Sequence, residues 1–376
     1  MNEGHLKHID TLLAAAGLPP DADTGAVVPP LHLATTFDKR LGGIHHYTRE
    51  SNPTRSALEQ VLAAVEGGSL AAAFSSGMAA ATSIIASLGV GAHVVYPDDV
   101  YVGLRRLLTQ VAPRWGVEST SADFTDIDAV AAAIVPDTRL IWLETPSNPL
   151  LRITDLPAVI ALAESRGIYT VVDNTWATPL LQRPLDLGAD LVLHALTKYI
   201  AGHSDVLGGV VISRADHHPF DAVREFQTTA GAVMDPFSAW LTLRGLRTLS
   251  VRMNRACDNA DQVAAFLAGH PRVARVHFPG LPGHPGREVA IKQMARGGAM
   301  LSFEPVGTQR DAEEIPRRTT VFLNATSLGG TESLIEHRAS AEGSGSASPP
   351  NLIRISVGLE NAQDLIDDLE QALGRK

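Results

Sequence analysis

Short apolar runs alternate with helix-like segments through most of the first 235 residues. "LAAAFSSG" leads into "MAAATSIIASL", "HVVYP" precedes "VYVGLRRLLTQV", and "RLIWLETP" precedes "DLPAVIALAESRG". Three more β-rich runs follow, "YTVVDN", "LVLHAL" and "GGVVIS". Apolar strands without polar alternation are strands buried on both faces, and their alternation with helices predicts βαβ units around a mostly parallel sheet. From about residue 236 the pattern changes. "PFSAWLTLRGLRTLSVRMNRACDNADQVAAFLAG" carries apolar residues at helical spacing and predicts long helix. "GAMLSFEP", "TVFLN" and "NLIRISVGL" read as strands, and "NAQDLIDDLEQAL" as a closing amphipathic helix. The expectation is an α/β protein with a mostly parallel mixed sheet in a large domain, 51–235, and a smaller α+β domain, 236–376. The first fifty residues have no sheet pattern and read as an arm. "SAEGSGSASPP", at 340–350, reads as a mobile loop. No internal repeat is visible.

In open parallel sheets ligands bind outside the carboxyl ends of the strands. Ser76, Glu144, Asp173 and Lys198 each follow an apolar run, so they belong to that edge. Lys198 sits in "HALTKYIAGHSDVLGG", directly after a buried strand, where its charge is costly. It either snorkels to solvent or to a carboxylate, or it loses its proton and forms an imine. Asp173, at the end of the preceding strand, is either a turn residue before "NTWATP" or a carboxylate facing the same crevice. Together, an imine-forming lysine and a carboxylate suit pyridoxal phosphate, whose ring nitrogen the carboxylate would keep protonated. "FSSGMAA" supplies a strand, a Ser-Ser-Gly turn and a helix start whose free N–H groups can bind phosphate, although Ser and Gly are also ordinary caps. Thr197 would add a hydroxyl. Arg354, inside the apolar "LIRISVG", needs a partner, which is either a substrate carboxylate or a structural salt bridge. The Tyr101 ring would stack on a planar cofactor or simply pack.

Composition narrows the partners. The 376 residues carry 31 basic and 41 acidic side chains, a net charge of −10, which argues against nucleic acid and anionic membranes. The single cysteine, Cys257, cannot form an internal disulfide and points to a reducing, cytoplasmic setting. The first residues lack a basic start and a long apolar stretch, so no secretion signal is expected, and no apolar run approaches a membrane span. The pairs His45-His46 and His217-His218 lack metal-ligand spacing and read as loop residues. No G-x-G-x-x-G is present, which argues against a nicotinamide dehydrogenase.

"YTRESNPTRSALE", "FSSGMAA", "ETPSNPLL", "VVDNTWATP", "TKYIAGHSDVLGG", "LRGLRTL", "SLGGTESLIEH" and "LIRISVGLE", in this order, resemble the cystathionine γ-synthase family of trans-sulfuration enzymes over nearly the whole chain. The resemblance implies a fold-type-I enzyme that uses pyridoxal 5'-phosphate. Lys198 would be the imine-forming lysine and proton carrier, Asp173 the partner of the pyridine nitrogen, and Tyr101 the ring-stacking residue at the catalytic centre. Gly77 and Met78 N–H groups and the Thr197 hydroxyl would bind phosphate. Tyr47 and Arg49 would reach the phosphate of a neighbouring subunit, implying a homotetramer of dimers that share active sites. Asn148 and Arg354 would hold the substrate carboxylate near the Ser327 backbone.

The implied reaction is elimination or replacement at Cβ or Cγ of a sulfur amino acid or activated homoserine, as in cystathionine γ-synthase, γ-lyase or β-lyase. Methionine γ-lyase or O-acetylhomoserine sulfhydrylase is the alternative, and a catalytically silent homologue a further one. Four positions depart from the family's pattern. Ala195 stands for a usual phosphate-binding serine. His46 and Thr326 stand where the γ-synthase and γ-lyase branches tend to carry acids, and Arg338 where proline is usual. The two missing acids weaken the case for cystathionine itself.

Overall fold

The computed structural model describes residues 8–17, 20–214, 219–343, 346 and 348–374. His217-His218 and part of the Gly/Ser-rich stretch lie outside these residues. Seven strands form the first sheet: β1 (Leu70–Phe74), β2 (His93–Pro97), β3 (Glu118–Ala122), β4 (Thr138–Glu144), β5 (Tyr169–Asp173), β6 (Leu191–His194) and β7 (Gly209–Ser213). Their order is β1-β7-β6-β5-β4-β2-β3. β7 runs antiparallel to both neighbours, and the other pairings are parallel, as the alternating pattern predicts. Successive residues of the central strands enter opposite cores. Leu140, Trp142 and Val171 pack on one face with Phe74 and Ile84, while Ile141, Leu143 and Val172 pack on the other with Leu156 and Val159. Both faces are covered, which is why these strands carry no polar alternation.

The second sheet orders β8 (Val273–His277), β9 (Met300–Pro305), β10 (Leu323–Asn324), β11 (Leu334–His337) and β12 (Ile353–Ser356) as β10-β11-β12-β9-β8. "TVFLN" contributes only the two residues of β10. The long helical run is two helices, Pro236–Leu246 and Leu249–Gly269, with Arg247 and Thr248 between them. "VYVGLRRLLTQV" likewise begins as a regular helix, Val102–Arg106, and continues in widened and then tightened turns to Trp115. Sequence pattern misses β3, whose "ESTSA" is an edge strand with half its residues in water and no apolar face to read. The described part of the arm forms a short helix, Ile9–Ala14, a single tightened turn, Lys39–Leu41, and an isolated bridge between Thr36 and Tyr47. Within 340–350 the expected loop is partly regular. Arg338–Glu342 is a short helix, because Arg338 is buried between Glu336 and Glu342.

The carboxyl ends of β1, β4, β5 and β6 open on one cavity, which the second sheet closes with β12 and the Thr326–Leu328 turn. Cys257 is buried, and burial pushes its thiol up to about 12, which leaves it inert.

Candidate active site

The cavity measures about 260 Å³ and brings together Gly77, Met78, Tyr101, Asn148, Asp173, Thr197, Lys198, Ser327 and Arg354. All the cofactor- and substrate-binding residues that the family resemblance implies meet here except Tyr47 and Arg49. Those two lie on the exposed arm, where the Arg49 guanidinium stands 5.7 Å from the Tyr47 ring and bonds the Thr228 carbonyl. No group of three or more His, Cys, Asp or Glu able to hold a metal occurs among the described residues, His45-His46 included.

Lys198 is placed by a tight turn after β6. Its N–H donates to Ala195 O (3.1 Å), and its own carbonyl accepts from Gly202 N (2.8 Å). Buried Arg252 clamps this turn from the second helix of the C-terminal half, donating to the carbonyls of Tyr199 (2.7 Å), Ile200 (3.3 Å) and Gly245 (2.9 Å). The stretch "LRGLRTL" takes part through Gly245 and through the Thr248 hydroxyl, which accepts from Arg252 Nε (3.2 Å). Gly245 permits the approach, since a Cβ there would stand 2.2 Å from the Ala201 carbonyl oxygen. The Lys198 Nζ donates to Ser327 Oγ at 2.8 Å. Burial, then the nearby Arg354 charge, bring its pKa down from the ordinary 10.5 to about 8, while Glu336 pulls the other way. A fraction of the amine is therefore free base near neutrality, as an imine-forming nucleophile requires. The rate at which cofactor-free protein takes up pyridoxal phosphate should rise with pH and level off above about 8, because the protonated amine has no lone pair. A midpoint near 10.5, measured by absorbance in stopped flow, would contradict this environment.

Asp173 and Glu144 end adjacent strands in register. Burial raises both carboxyls, Glu144 further, with the Asp173 charge adding to its shift. Asp173 Oδ1 accepts from the Thr175 N–H (3.1 Å) and hydroxyl (2.5 Å), so it does form the local turn that sequence offered as one of its two roles. It also lines the cavity, which is the other. Thr175 escapes sequence reasoning as a site residue, and Glu144, placed at this edge by sequence, carries no assigned role there. The Thr175 hydroxyl accepts from Ala195 N (2.9 Å) and ties β5 to the lysine turn. Glu144 Oε2 accepts from Tyr101 N (3.0 Å) and fixes the start of the helix that carries the Tyr101 ring at the cavity.

The Gly77–Ala86 helix is capped by Ser76, whose hydroxyl accepts from Ala79 N (3.0 Å). The preceding N–H groups of Gly77 and Met78 remain at the cavity edge. A Cβ on Gly77 would meet the Ala195 Cβ at 2.9 Å, and one on Gly209 would meet Ser76 O at 2.4 Å. The backbone cradle is thus built from glycine on both sides, as close approach to a phosphate needs. Thr197 exchanges hydrogen bonds with Gly208, accepting from its N–H (3.1 Å) and donating to its carbonyl (3.3 Å), and its hydroxyl oxygen lies beside this cradle. Bare cradle, deprotonatable lysine and buried carboxylate fit pyridoxal phosphate.

Arg354 on β12 is buried, makes the structural salt bridge that was one of its two readings, and also lines the cavity. Cross-strand pairing sets it opposite Glu336 of β11, which it bonds, while it donates to Asn148 Oδ1 (2.9 Å) and Ser327 O (3.3 Å). Its guanidinium lies 5.8 Å from the Trp176 ring centroid and lines the cavity. Ser327, expected to act through its backbone, also receives the lysine with its side chain. Its φ of 126° is a conformation that L-residues rarely adopt, a strain typical of functional turns.

The sequence profile of the Cys/Met metabolism PLP-dependent enzyme family matches residues 10–374. Cystathionine gamma-synthase of Mycobacterium tuberculosis (strain H37Rv) is 51% identical over 369 residues, covering 96% of this chain and 95% of that one. The solved structure of metB from Corynebacterium glutamicum superposes with a TM-score of 0.95 at 45% identity, covering 98% of each chain. That of cystathionine gamma synthase from Xanthomonas oryzae pv. oryzae in complex with cystathionine does so at 0.94 and 42%, again over 98% of each. The chain belongs to the Cys/Met metabolism PLP-dependent enzymes and is a trans-sulfuration enzyme of the cystathionine γ-synthase and lyase type.

Proposed function

We propose that the protein is a cystathionine γ-synthase, which replaces the γ-substituent of an activated homoserine with the thiol of cysteine. The observation that carries the reaction class is the meeting of Lys198, Asp173 and Arg354 in one cavity. The branch is supported by 51% identity across 96% of the chain to a cystathionine gamma-synthase. Pyridoxal phosphate, when bound, supplies the electron sink that makes loss of the Cα proton and of the γ-substituent feasible.

The chain's own residues do the rest. Arg354 and Asn148 hold the substrate carboxylate and so fix which Cα bond faces Lys198. The Lys198 amine, held by Ser327, takes the Cα proton and redelivers it along the carbon chain. Asp173 would keep a negative charge against the ring nitrogen, Tyr101 would pack on the ring, and Gly77, Met78 and Thr197 would hold the phosphate. Tyr47 and Arg49 would complete the phosphate site of a neighbouring subunit in a homotetramer of such dimers, which is consistent with the exposed Val27, Leu33, Leu41 and Ile44 on the same arm. No described helix is long and apolar enough to cross a membrane, and a cytoplasmic location fits a soluble amino-acid substrate.

One observation favours elimination as a second reading. Thr326, standing where an acid would greet a distal amino group, spends its hydroxyl on Glu336 Oε2 at 3.1 Å. Product analysis separates the two. With O-acetyl- or O-succinyl-homoserine and cysteine, cystathionine should accumulate faster than keto acid. Keto acid and ammonia dominating, from these esters or from cystathionine or methionine, would assign the protein to the lyases instead.

A further inference from the structure

Arg338, where the family usually has proline, lies in the wall of the cavity and is only 4% exposed. Its two terminal nitrogens donate to Glu336 Oε1 (2.6 Å) and Glu342 Oε1 (2.9 Å). The same Glu336 oxygen receives Arg354, so one carboxylate is shared by two buried guanidinium groups. Glu342 lines the cavity too, and its carbonyl accepts from Arg106 at 2.9 Å. Burial works against the charge of Glu342, but the Ser346 hydroxyl and Arg338 outweigh it and hold its carboxyl below the usual range.

Among these four side chains the formal charges cancel, while Lys198 and Glu144 act on the cluster from outside it. Arg354 and Arg338 balance Glu336 and Glu342. Without Arg338 the cluster carries one net negative charge, and an arriving substrate carboxylate makes it two, in a site where burial strengthens repulsion. Glu336 would also turn wholly to Arg354 and compete with the substrate for it. We propose that Arg338 is a positioning residue for substrate recognition: by holding Glu336 and Glu342 it leaves the Arg354 charge available to the substrate carboxylate. The proposal rests on the reading of Arg354 given above.

The test compares L-norvaline with n-butylamine, which differ only by the carboxylate, binding to the holoenzyme and followed by cofactor absorbance. Arg338→Met should weaken norvaline about tenfold and leave butylamine unchanged, since one unit charge is lost from a guanidinium that shares a Glu336 oxygen with Arg354. In steady state KM for the amino-acid substrate should rise by more than kcat falls. Arg338→Lys should stay near the parent. Arg338→Met with Glu342→Gln restores the charge balance and should recover norvaline binding, which repair of packing would not do. Equal weakening of both ligands, unchanged norvaline binding, or no recovery in the double variant overturns the proposal. Should Arg338→Met not fold, Glu342→Gln alone decides: tighter norvaline with unchanged butylamine supports it, and unchanged norvaline sinks it. Arg354→Gln is the control. If that variant keeps its preference for norvaline, the reading of Arg354 is wrong; if it loses it while Arg338→Met does not, only the role of Arg338 fails.

Discussion

Lys198→Ala should lower turnover by about 10³-fold or more and abolish the absorbance band of lysine-linked cofactor, while the protein still folds and retains pyridoxal phosphate without a covalent link. The first effect follows from removing both the group that forms the imine and the base that carries the Cα proton, each worth orders of magnitude. Retention follows from what stays in place: the Gly77–Ala86 helix start, Thr197 and Asp173 do not depend on the lysine side chain. Folding should be helped rather than harmed. The variant loses one hydrogen bond to Ser327, worth about 1 kcal/mol. It also loses an amine whose protonated form the fold disfavours. The folded pKa of about 8 lies below the ordinary 10.5, so the unfolded chain binds more protons between these values. The penalty is therefore fully present below pH 8 and fades as pH rises toward 10.5. The stabilisation of cofactor-free Lys198→Ala over the parent should be largest near neutrality and shrink in alkali. Thermal melts across pH, with turnover and spectra on the holoenzyme, measure all three. Surviving turnover or a surviving linked-cofactor band would remove Lys198 from its role.

Much of this site could be read from sequence because its parts stand at strand ends. The strands of the first sheet are apolar on both faces, so a polar residue that closes one is conspicuous, and Asp173 and Lys198 were found that way. Local signals fail where the reason for a residue lies across the fold. Arg354 showed only that it needed a partner. That it has two kinds, a salt bridge to Glu336 and an open face toward the cavity, depends on the pairing of β11 with β12. Thr175 looks like any turn threonine until its hydroxyl is seen between Asp173 and Ala195 N. The edge strand β3 has no apolar face, and the break at Arg247–Thr248 has no Pro or Gly to mark it. The Gly/Ser-rich stretch hid an ordered start because Arg338 finds its two carboxylates only in the folded chain.

Asp173→Asn is expected to separate the turn role that its bonds to Thr175 show from the cofactor role proposed for the same side chain. The amide oxygen of asparagine can accept from the Thr175 N–H and hydroxyl as Oδ1 does, so the turn after β5 and the tie from Thr175 to Ala195 should survive. What disappears is the negative charge under the cavity. With that charge absent, nothing holds a proton on the ring nitrogen, and the cofactor loses its strength as an electron sink. Turnover should fall by about 10²- to 10³-fold, in the range seen when one preorganised electrostatic partner is removed. The melting temperature should hold or rise, because burial disfavours the ionised carboxyl and the neutral amide avoids that cost. A second consequence does not involve turnover at all. Glu144 is pushed up by burial first and then by the adjacent Asp173 charge, so its carboxyl should titrate at lower pH in the variant, visible as a shifted carboxyl band in infrared difference spectra of cofactor-free protein. Lost turnover with a stable fold and a lowered Glu144 marks Asp173 as an electrostatic partner of the cofactor. Full turnover in the variant would reduce it to the turn residue that its bonds to Thr175 already make it.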